Sequence, residues 1–296
     1  MNAFYPLRRP KTIFSFVFVL LVIASVAALA LQQHEPFYEG KRLSVWLEEL
    51  DLANNLFDHA KRQKAVNAVR AMGTNAMPSL VRMLAARDSR LKLTIMRVWI
   101  KQSVIPMPFT IAGLRRDRAV QAIRVIGPAA SPYIPELAIL LNLKETTSSA
   151  ARALAGIGPQ SVEHLVAALD SPSNEVRASA AMGLNLLRSD AKPAVPALIL
   201  RLRDKEPTVR DNATLALGAI RAEPDLVVPA LAELLHDKDA GVRVHAARAL
   251  GDFGSNAKAA SQALLKALED EDGEVRGGAK TALDRINGKT EKVDEE

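Results

Sequence analysis

The sequence predicts an all-α fold: a right-handed α-solenoid of helical hairpins, preceded by one N-terminal apolar helix. Of the 296 residues, 49% are apolar and only 4% are aromatic; Ala, Leu and Val predominate, which favours close packing of helices. Alanine, leucine and Val-Arg columns recur every 33 residues, which is the signature of a repeat array. The chain has no cysteine, which excludes thiolate chemistry and a lipid-modified cysteine.

The N-terminal segment predicts the cellular compartment. Three basic residues precede an apolar run of 19 residues, Ile13–Leu31, whose helical length is close to the thickness of a bilayer. Residues 1–11 are then a basic cytoplasmic N-terminus. Residues 12–31 are a transmembrane signal anchor, or a signal cleaved after the small-x-small pattern Ala28-Leu29-Ala30. Both alternatives place the repeats outside the cytoplasm, in a single-pass cell-membrane protein or in a secreted or periplasmic one.

Residues 32–60 are predicted to form a linker and a short capping helix. Four apolar residues recur there at helical spacing and share one face: Leu43, Trp46, Leu47 and Leu50. This face is expected to cover the open end of the repeat array.

The repeats are assigned to residues 61–287. In the last four units the leucine column is Leu184, Leu217, Leu250 and Leu283, and a second pair of leucines four residues apart follows in three of them. Leucines at that spacing share one helical face, so each unit predicts two amphipathic helices. Glycines are expected just after the first helices. Four prolines are expected in the first turns of the second helices: Pro78, Pro135, Pro196 and Pro229.

Both ends of the array depart from this pattern. The first anchors, Val69 and Ile123, are 54 residues apart, which predicts an insertion at about 87–114 with a helix at Leu91–Gln102. The last unit has no second helix before the charged tail, residues 288–296, and is expected to act as an end cap.

Charged residues repeat with the same period. Asp204, Asp237 and Asp270 close successive units, and an arginine follows each by six residues. The aspartate is expected to be a turn or N-cap residue, and the arginine to pair with it or with the aspartate of the next unit. A catalytic Asp–Arg pair is the alternative, but repetition at fixed spacing favours an architectural role. The arginine column is Arg177, Arg210, Arg243 and Arg276.

The patterns Asp-x5-Arg, Ala-x3-Leu-Gly and Pro-x-Leu resemble the short, bilin-lyase-like HEAT repeats of bacterial proteins. The resemblance covers about residues 61–287 and implies an armadillo-like helical solenoid. Tyr38-Glu39-Gly40-Lys41 resembles a segment that often precedes such repeats in membrane-anchored bacterial members. These motifs are specific for architecture and unspecific for function.

Enzymatic alternatives have few candidate residues. Hydroxylases with related repeats bind two irons through His-Glu pairs on successive repeats, whereas the one such pair here, His34-Glu35, lies outside the repeats. A bilin-lyase-like activity would need a chromophore cleft, and the chain has three tyrosines and two tryptophans. The sequence therefore predicts no catalytic residues, no metal site and no cofactor.

The net charge of +6 is unevenly distributed. Residues 1–31 carry +3; residues 32–169 carry 18 basic and 11 acidic side chains, or +7; residues 170–296 carry 18 and 22, or −4. A nucleic-acid-binding protein is one alternative, with basic clusters at 61–64 and 115–118. Predicted export and the lack of interleaved aromatic residues argue against it. An acidic partner, lipid headgroups or a solvated helical face remain open for the basic region.

The preferred prediction is a non-enzymatic scaffold for protein–protein interactions, displayed outside the cytoplasm. A solenoid leaves a long concave surface, built from its second helices, which suits a protein or peptide partner. Six residues beside the leucine anchors are expected to line this surface: Leu200, Glu233, Lys266, Arg203, His236 and Glu269.

Overall fold

A computed structural model describes residues 35–51, 58–90, 92–94 and 111–289. The predicted cytoplasmic segment and the predicted anchor, residues 1–11 and 12–31, lie outside these ranges. Most of the helix predicted at Leu91–Gln102 and nearly all of the charged tail lie outside them as well.

The prediction of a single-pass membrane protein is corrected by the structure. Over the described ranges no helix is both long and apolar enough to cross a bilayer. The longest, Ala112–Ile126, has 15 residues, which is short of the approximately 20 that a span requires. The cell-membrane location rested on residues 12–31, outside the described ranges, and it is not supported.

The described chain opens with a β-hairpin, β1 at Phe37–Tyr38 and β2 at Lys41–Arg42. It departs from the predicted all-α fold because Glu39 and Gly40 have positive φ angles, 44° and 77°, and turn the chain back. Helix α1, Leu43–Leu50, follows directly. Its four apolar residues are at most 3% exposed, and the indole Nε1 of Trp46 donates a hydrogen bond to the Tyr38 carbonyl at 3.0 Å.

Helical hairpins form the rest of the described chain. The first helices of the hairpins are α2 His59–Met72, α4 Ala112–Ile126, α6 Thr147–Ile157, α8 Asn174–Leu187, α10 Pro207–Ile220, α12 Ala240–Asp252 and α14 Gly273–Ile286. The second helices are α3 Met77–Leu84, α5 Ile134–Leu140, α7 Val162–Ala168, α9 Val195–Arg201, α11 Pro224–Glu233 and α13 Ser261–Ala267. Short 3₁₀ turns join most pairs.

The two helix layers share one apolar core. First helices pack side by side, and each second helix from α5 to α13 packs against the first helix of the next unit. The buried cluster runs continuously from Leu43 to Ile286. The backbones approach closely: a Cβ added at Gly218 would lie 2.9 Å from the Cβ of Ala249 on the neighbouring helix. These features confirm the predicted helical repeat solenoid.

The connectors between paired helices explain one wrong prediction. Gly73, Gly127 and Gly254 end first helices with positive φ, as expected for glycine at this site. The connector after α10 has no glycine; Arg221 and Glu223 adopt left-handed conformations instead. The second helix therefore begins early, at Pro224, and Pro229 lies in its interior rather than in its first turn.

The last helix, α14, differs from the first helices before it on the side where another unit would stack. One position holds Ala181, Thr214 and Ala247, all fully buried, whereas α14 has the exposed Lys280 there. Asp284 of α14 takes the position of the closely packed glycines of α10 and α12. The described array therefore ends in a polar face.

Candidate partner-binding surface

The second helices carry a row of exposed side chains that project from a rigid base. Each row member follows a fully buried leucine by two residues. Leu200 follows Leu198, Glu233 follows Leu231, and Lys266 follows Leu264; Leu200 is 66% exposed. The buried leucines fix the positions of these outward-facing side chains.

A second row begins three residues later and is also exposed: Arg203, His236 and Glu269. The structure brings two of the six predicted surface residues together. Arg203 Nη2 donates to Glu233 Oε2 at 3.1 Å, and the two side chains are 82% and 66% exposed. At that exposure the pair is worth little energetically and a partner can displace it.

The proximal part of the first row was not predicted from the sequence. Ile139 of α5 and Ala167 of α7 follow the buried Leu137 and Leu165 by two residues, and both are exposed, Ile139 by 66%. The leucine column continues into both units: Leu165 precedes Leu198 by the regular 33 residues, and Leu137 precedes Leu165 by 28. The prediction began at Leu200 and so left out Ala167, at the regular spacing, as well as Ile139, at the irregular one.

The arginine and aspartate columns meet between helices. Three arginines, Arg177, Arg210 and Arg243, each pair with the aspartate 27 residues later, the second of the two partners considered from the sequence. Arg210 Nε and Nη2 donate to both carboxylate oxygens of Asp237 at 2.7 and 2.6 Å. The other two pairs, Arg177–Asp204 and Arg243–Asp270, have the same two-bond geometry at 2.7–2.9 Å.

These pairs are buried and fully engaged. The Arg210 and Asp237 side chains are 6% and 9% exposed. Arg210 Nη1 also donates to the carbonyls of Asp204 and Lys205, while Asp237 accepts from the backbone N–H of Asp239. The aspartate is thus a turn residue, and Asp239, not Asp237, caps the next helix. This geometry locks consecutive units together, and we call the three pairs the Arg–Asp ladder.

The ladder shifts the pKa values of its members. Hydrogen bonding to Asp237 raises the pKa of Arg210, although burial acts in the opposite direction. Burial alone would raise the pKa of Asp237, but the hydrogen bonds from Arg210 and the Asp239 backbone outweigh it and lower that pKa. The Arg243 hydrogen bond likewise lowers the pKa of Asp270. Both partners therefore remain charged at neutral pH.

Arg276 marks the end of the ladder. Its Nη1 donates to the carbonyls of Asp270 and Glu271 at 2.7 and 3.0 Å, as in the preceding units. Its side chain is exposed, and no carboxylate pairs with it among the described residues.

The basic cluster at residues 115–118 is largely used in internal contacts. Arg116 donates to the Ala86 carbonyl at 2.8 Å, and Arg118 contacts Asp51 at 3.3 Å and Glu48 at 3.2 Å. Asp117 pairs with Arg152. In the part of the chain that the structure describes, no three His, Asp or Glu residues are placed to hold a metal ion. The one His-Glu pair in the sequence is His34-Glu35, and His34 lies outside the described ranges.

Together, the stacked hairpins and the ladder define the chain as an α-solenoid repeat protein. The family model for HEAT repeats matches residues 134–218 and 195–284, just over half of the chain. The chain therefore belongs to the HEAT-repeat family. No curated protein sequence matches it significantly.

Solved structures resemble this chain to different degrees. The karyopherin Kap121p bound to Nup53p matches 82% of this chain with a TM-score of 0.53 and 16% identity; the match spans 29% of the karyopherin. A designed armadillo repeat protein in complex with the peptide (KR)4 matches 83% of this chain and all of the other, with a TM-score of 0.46 and 18% identity. A structure of the complex of CpcE and CpcF of the phycocyanin lyase from Nostoc matches 85% of this chain and 80% of the other, with a TM-score of 0.36 and 21% identity. At 16% identity the similarity to the karyopherin shows the fold alone.

Proposed function

We propose that this protein is a non-enzymatic scaffold that binds a protein or peptide partner through the exposed face of its second helices. The observation that carries the proposal is the row at Ile139, Ala167, Leu200, Glu233 and Lys266. Each member is exposed, and each follows a leucine that is 0% exposed. A rigid base with variable outward side chains suits recognition of an extended partner.

The family and the ladder support this proposal. The karyopherin with the same fold is described in complex with Nup53p, a use of such a solenoid for binding a protein. The Arg–Asp pairs, which could otherwise suggest catalysis, are engaged in holding the repeats together. The arginines at 115–118 that could suggest an acidic partner or nucleic acid are mostly in intramolecular contacts.

Site-specific photo-crosslinking tests the proposal. A photoreactive amino acid is placed at Leu200 on the second-helix face and, as a matched control, at Leu186 on first helix α8, which is also exposed at 42%. In cells, position 200 is expected to give a discrete protein adduct that position 186 does not give. Adducts of equal yield at both positions, or none at position 200, would contradict the proposal.

A triple variant gives an independent test. Glu233→Ala, His236→Ala and Lys266→Ala together should reduce the adduct at position 200 with little change in melting temperature, because all three side chains are exposed. Unfolding of the triple variant, measured by circular dichroism, would show that these residues are structural and would count against the surface.

A further inference from the structure

The proximal part of the row carries two large apolar side chains that are exposed. Ile139 and Leu200, each 66% exposed, share with Phe37 the highest exposure among the large apolar side chains of the described residues. They occupy equivalent positions on α5 and α9. Exposed leucines or isoleucines that occur singly need no explanation, but two at equivalent positions two repeats apart form a pattern.

Ala167 lies between them in the same row, on α7, and is also exposed. Its side chain is much smaller than those of Ile139 and Leu200 on either side. Neighbouring helices lie about 8–10 Å apart, so the row spans roughly 20 Å from Ile139 to Leu200. It offers two large aliphatic side chains with a small one between them.

Carboxylates border the row on one side. Helices α5 and α7 contain Glu136 and Glu163 and no lysine or arginine. Both carboxylates are exposed, and the ion pairs of this region engage Glu145, Asp117 and Asp170 instead. Neither Glu136 nor Glu163 pairs with a described cation.

Most of the positive charge near α5 and α7 lies on the other layer. First helices α4 and α6 carry five arginines and one aspartate between them. Beside its apolar row the second-helix face carries the unpaired Glu136 and Glu163, with Lys144 just after α5 and Arg201, which pairs with Asp170, on α9.

We infer that this row binds an extended segment with aliphatic side chains at every third residue and basic residues beside them. In the polyproline II conformation an extended chain advances about 3.1 Å per residue with three residues per turn, so every third side chain lies on one face at about the spacing of the helices. The middle aliphatic side chain packs over the small side chain of Ala167, and basic side chains pair with Glu136 and Glu163. A bound helix, about 10 Å across, would also cover the polar residues Asn142 and Arg203.

The inference rests on the proposed function and is tested separately from it, with fluorescent synthetic peptides and the full chain. The probes are a peptide of four Lys-Leu-Ser repeats and two matched peptides, Glu-Leu-Ser and Lys-Ser-Ser, each with the same number of repeats. We expect the first to bind about tenfold more tightly than either control in fluorescence anisotropy. Equal binding of the three peptides, or preference for the glutamate peptide, would overturn the inference.

Variants then locate the binding. Ile139→Ser, Leu200→Ser and Ala167→Glu should each weaken the Lys-Leu-Ser peptide about tenfold, whereas Leu186→Ser on the first-helix layer should not change it. Glu163→Gln should reduce the preference for lysine over glutamate. Unchanged affinity in the three row variants would overturn the inference. A crosslink at position 200 combined with that result would leave the scaffold proposal standing and reject only this partner chemistry.

Discussion

The distal repeats, α8 to α14, and the proximal repeats, α2 to α7, hold together by different means. Distal units are joined by three buried two-bond Arg–Asp pairs. In the unit of α6, the position of the ladder arginine is occupied by Thr147, which is 1% exposed and donates to the Leu143 carbonyl at 3.1 Å. The Thr147 hydroxyl donates to a carbonyl four residues earlier in the chain, whereas an arginine at this position would be long enough to reach an aspartate of the next unit.

The proximal repeats have a different long-range tie. Arg118 of α4 is 10% exposed and contacts Asp51 and Glu48 at the end of α1. It fastens α1 to the second hairpin. Neighbouring proximal units are tied by individual contacts, such as those of Arg116 with the Ala86 carbonyl and of Arg152 with Asp117. The comparison shows that one fold can connect its units by a repeated buried pair or by contacts that differ from unit to unit.

The largest predicted effect comes from breaking one ladder pair. Asp237→Ala leaves the guanidinium of Arg210 buried without its carboxylate and should lower the free energy of unfolding by about 3–5 kcal/mol. Urea denaturation measures this. The matched control is Asp117→Ala, which removes an exposed cross-repeat pair with Arg152 and should cost less than about 1 kcal/mol. Equal losses would show that the ladder has no special role.

Acidic pH should lower the stability of the distal repeats more than that of the proximal repeats. The pKa values of Asp204, Asp237 and Asp270 are lowered in the folded state, so their stabilisation is present above the unfolded-state pKa of about 4 and is lost as pH falls through the lower folded values. Among the described residues of the proximal repeats, the pKa of Asp88 is lowered as well: burial acts to raise it, but hydrogen bonds from Lys92 and the Ala112 backbone outweigh burial. Protonation of one ladder aspartate should cost less stability than Asp237→Ala does, because a neutral carboxyl still accepts a hydrogen bond from the arginine.

Hydrogen exchange at about pH 3 and at neutral pH checks this expectation. Protection should fall more in α8 to α12 than in α4 and α6. A uniform fall along the chain would contradict it.

Glycine should relieve strain in a distal connector. Arg188 has φ 52° and ψ −131°, nearly the conformation of Gly73 at the equivalent turn, and this region is costly for any residue with a Cβ. Arg188→Gly should therefore stabilise the protein by about 1–3 kcal/mol, seen as a higher melting temperature. Gly127→Arg in a proximal connector is the reverse change and should destabilise by a similar amount. A lower melting temperature for Arg188→Gly would show that its side chain contributes more than the strain costs.

The smallest predicted effect is on the exposed surface. Arg203→Ala breaks the Arg203–Glu233 contact, and at this exposure stability should change by less than about 0.5 kcal/mol. Thermal unfolding measures it. A larger loss would mean that the surface row helps to hold the distal repeats together.

Much of the fold was predictable from the sequence because the repeat period determines it. The leucine and alanine columns identified the hairpins, since the same positions must face the core in every unit. Pro229 was misplaced because the connector before it replaces glycine with Arg221 and Glu223, and their left-handed conformations leave no signal in the residue pattern. The hairpin at Phe37–Arg42 is too short for a strand period to be visible.

Less of the candidate surface was predictable. Leu200, Glu233 and Lys266 could be proposed by counting from the anchors in regular units. Ala167 lies 33 residues before Leu200 and could have been found in the same way, whereas Ile139 lies 28 residues before Ala167, outside the regular period. The choice of ladder partner depends on which aspartate lies within reach in space, since Asp204 and Asp237 are six residues before and 27 after Arg210, and sequence separation does not decide between them.

The polar end of α14 has a consequence for how the array could change in length. A unit of 33 residues inserted between α11 and α12 would meet, on both sides, the glycine, alanine and Arg–Asp contacts that internal units already make. The same unit joined after Ile286 would meet Lys280 and Asp284, whose charges would have to be buried. The solenoid can therefore grow by internal duplication, whereas addition at this end, including end-to-end stacking of separate molecules into fibres, is opposed.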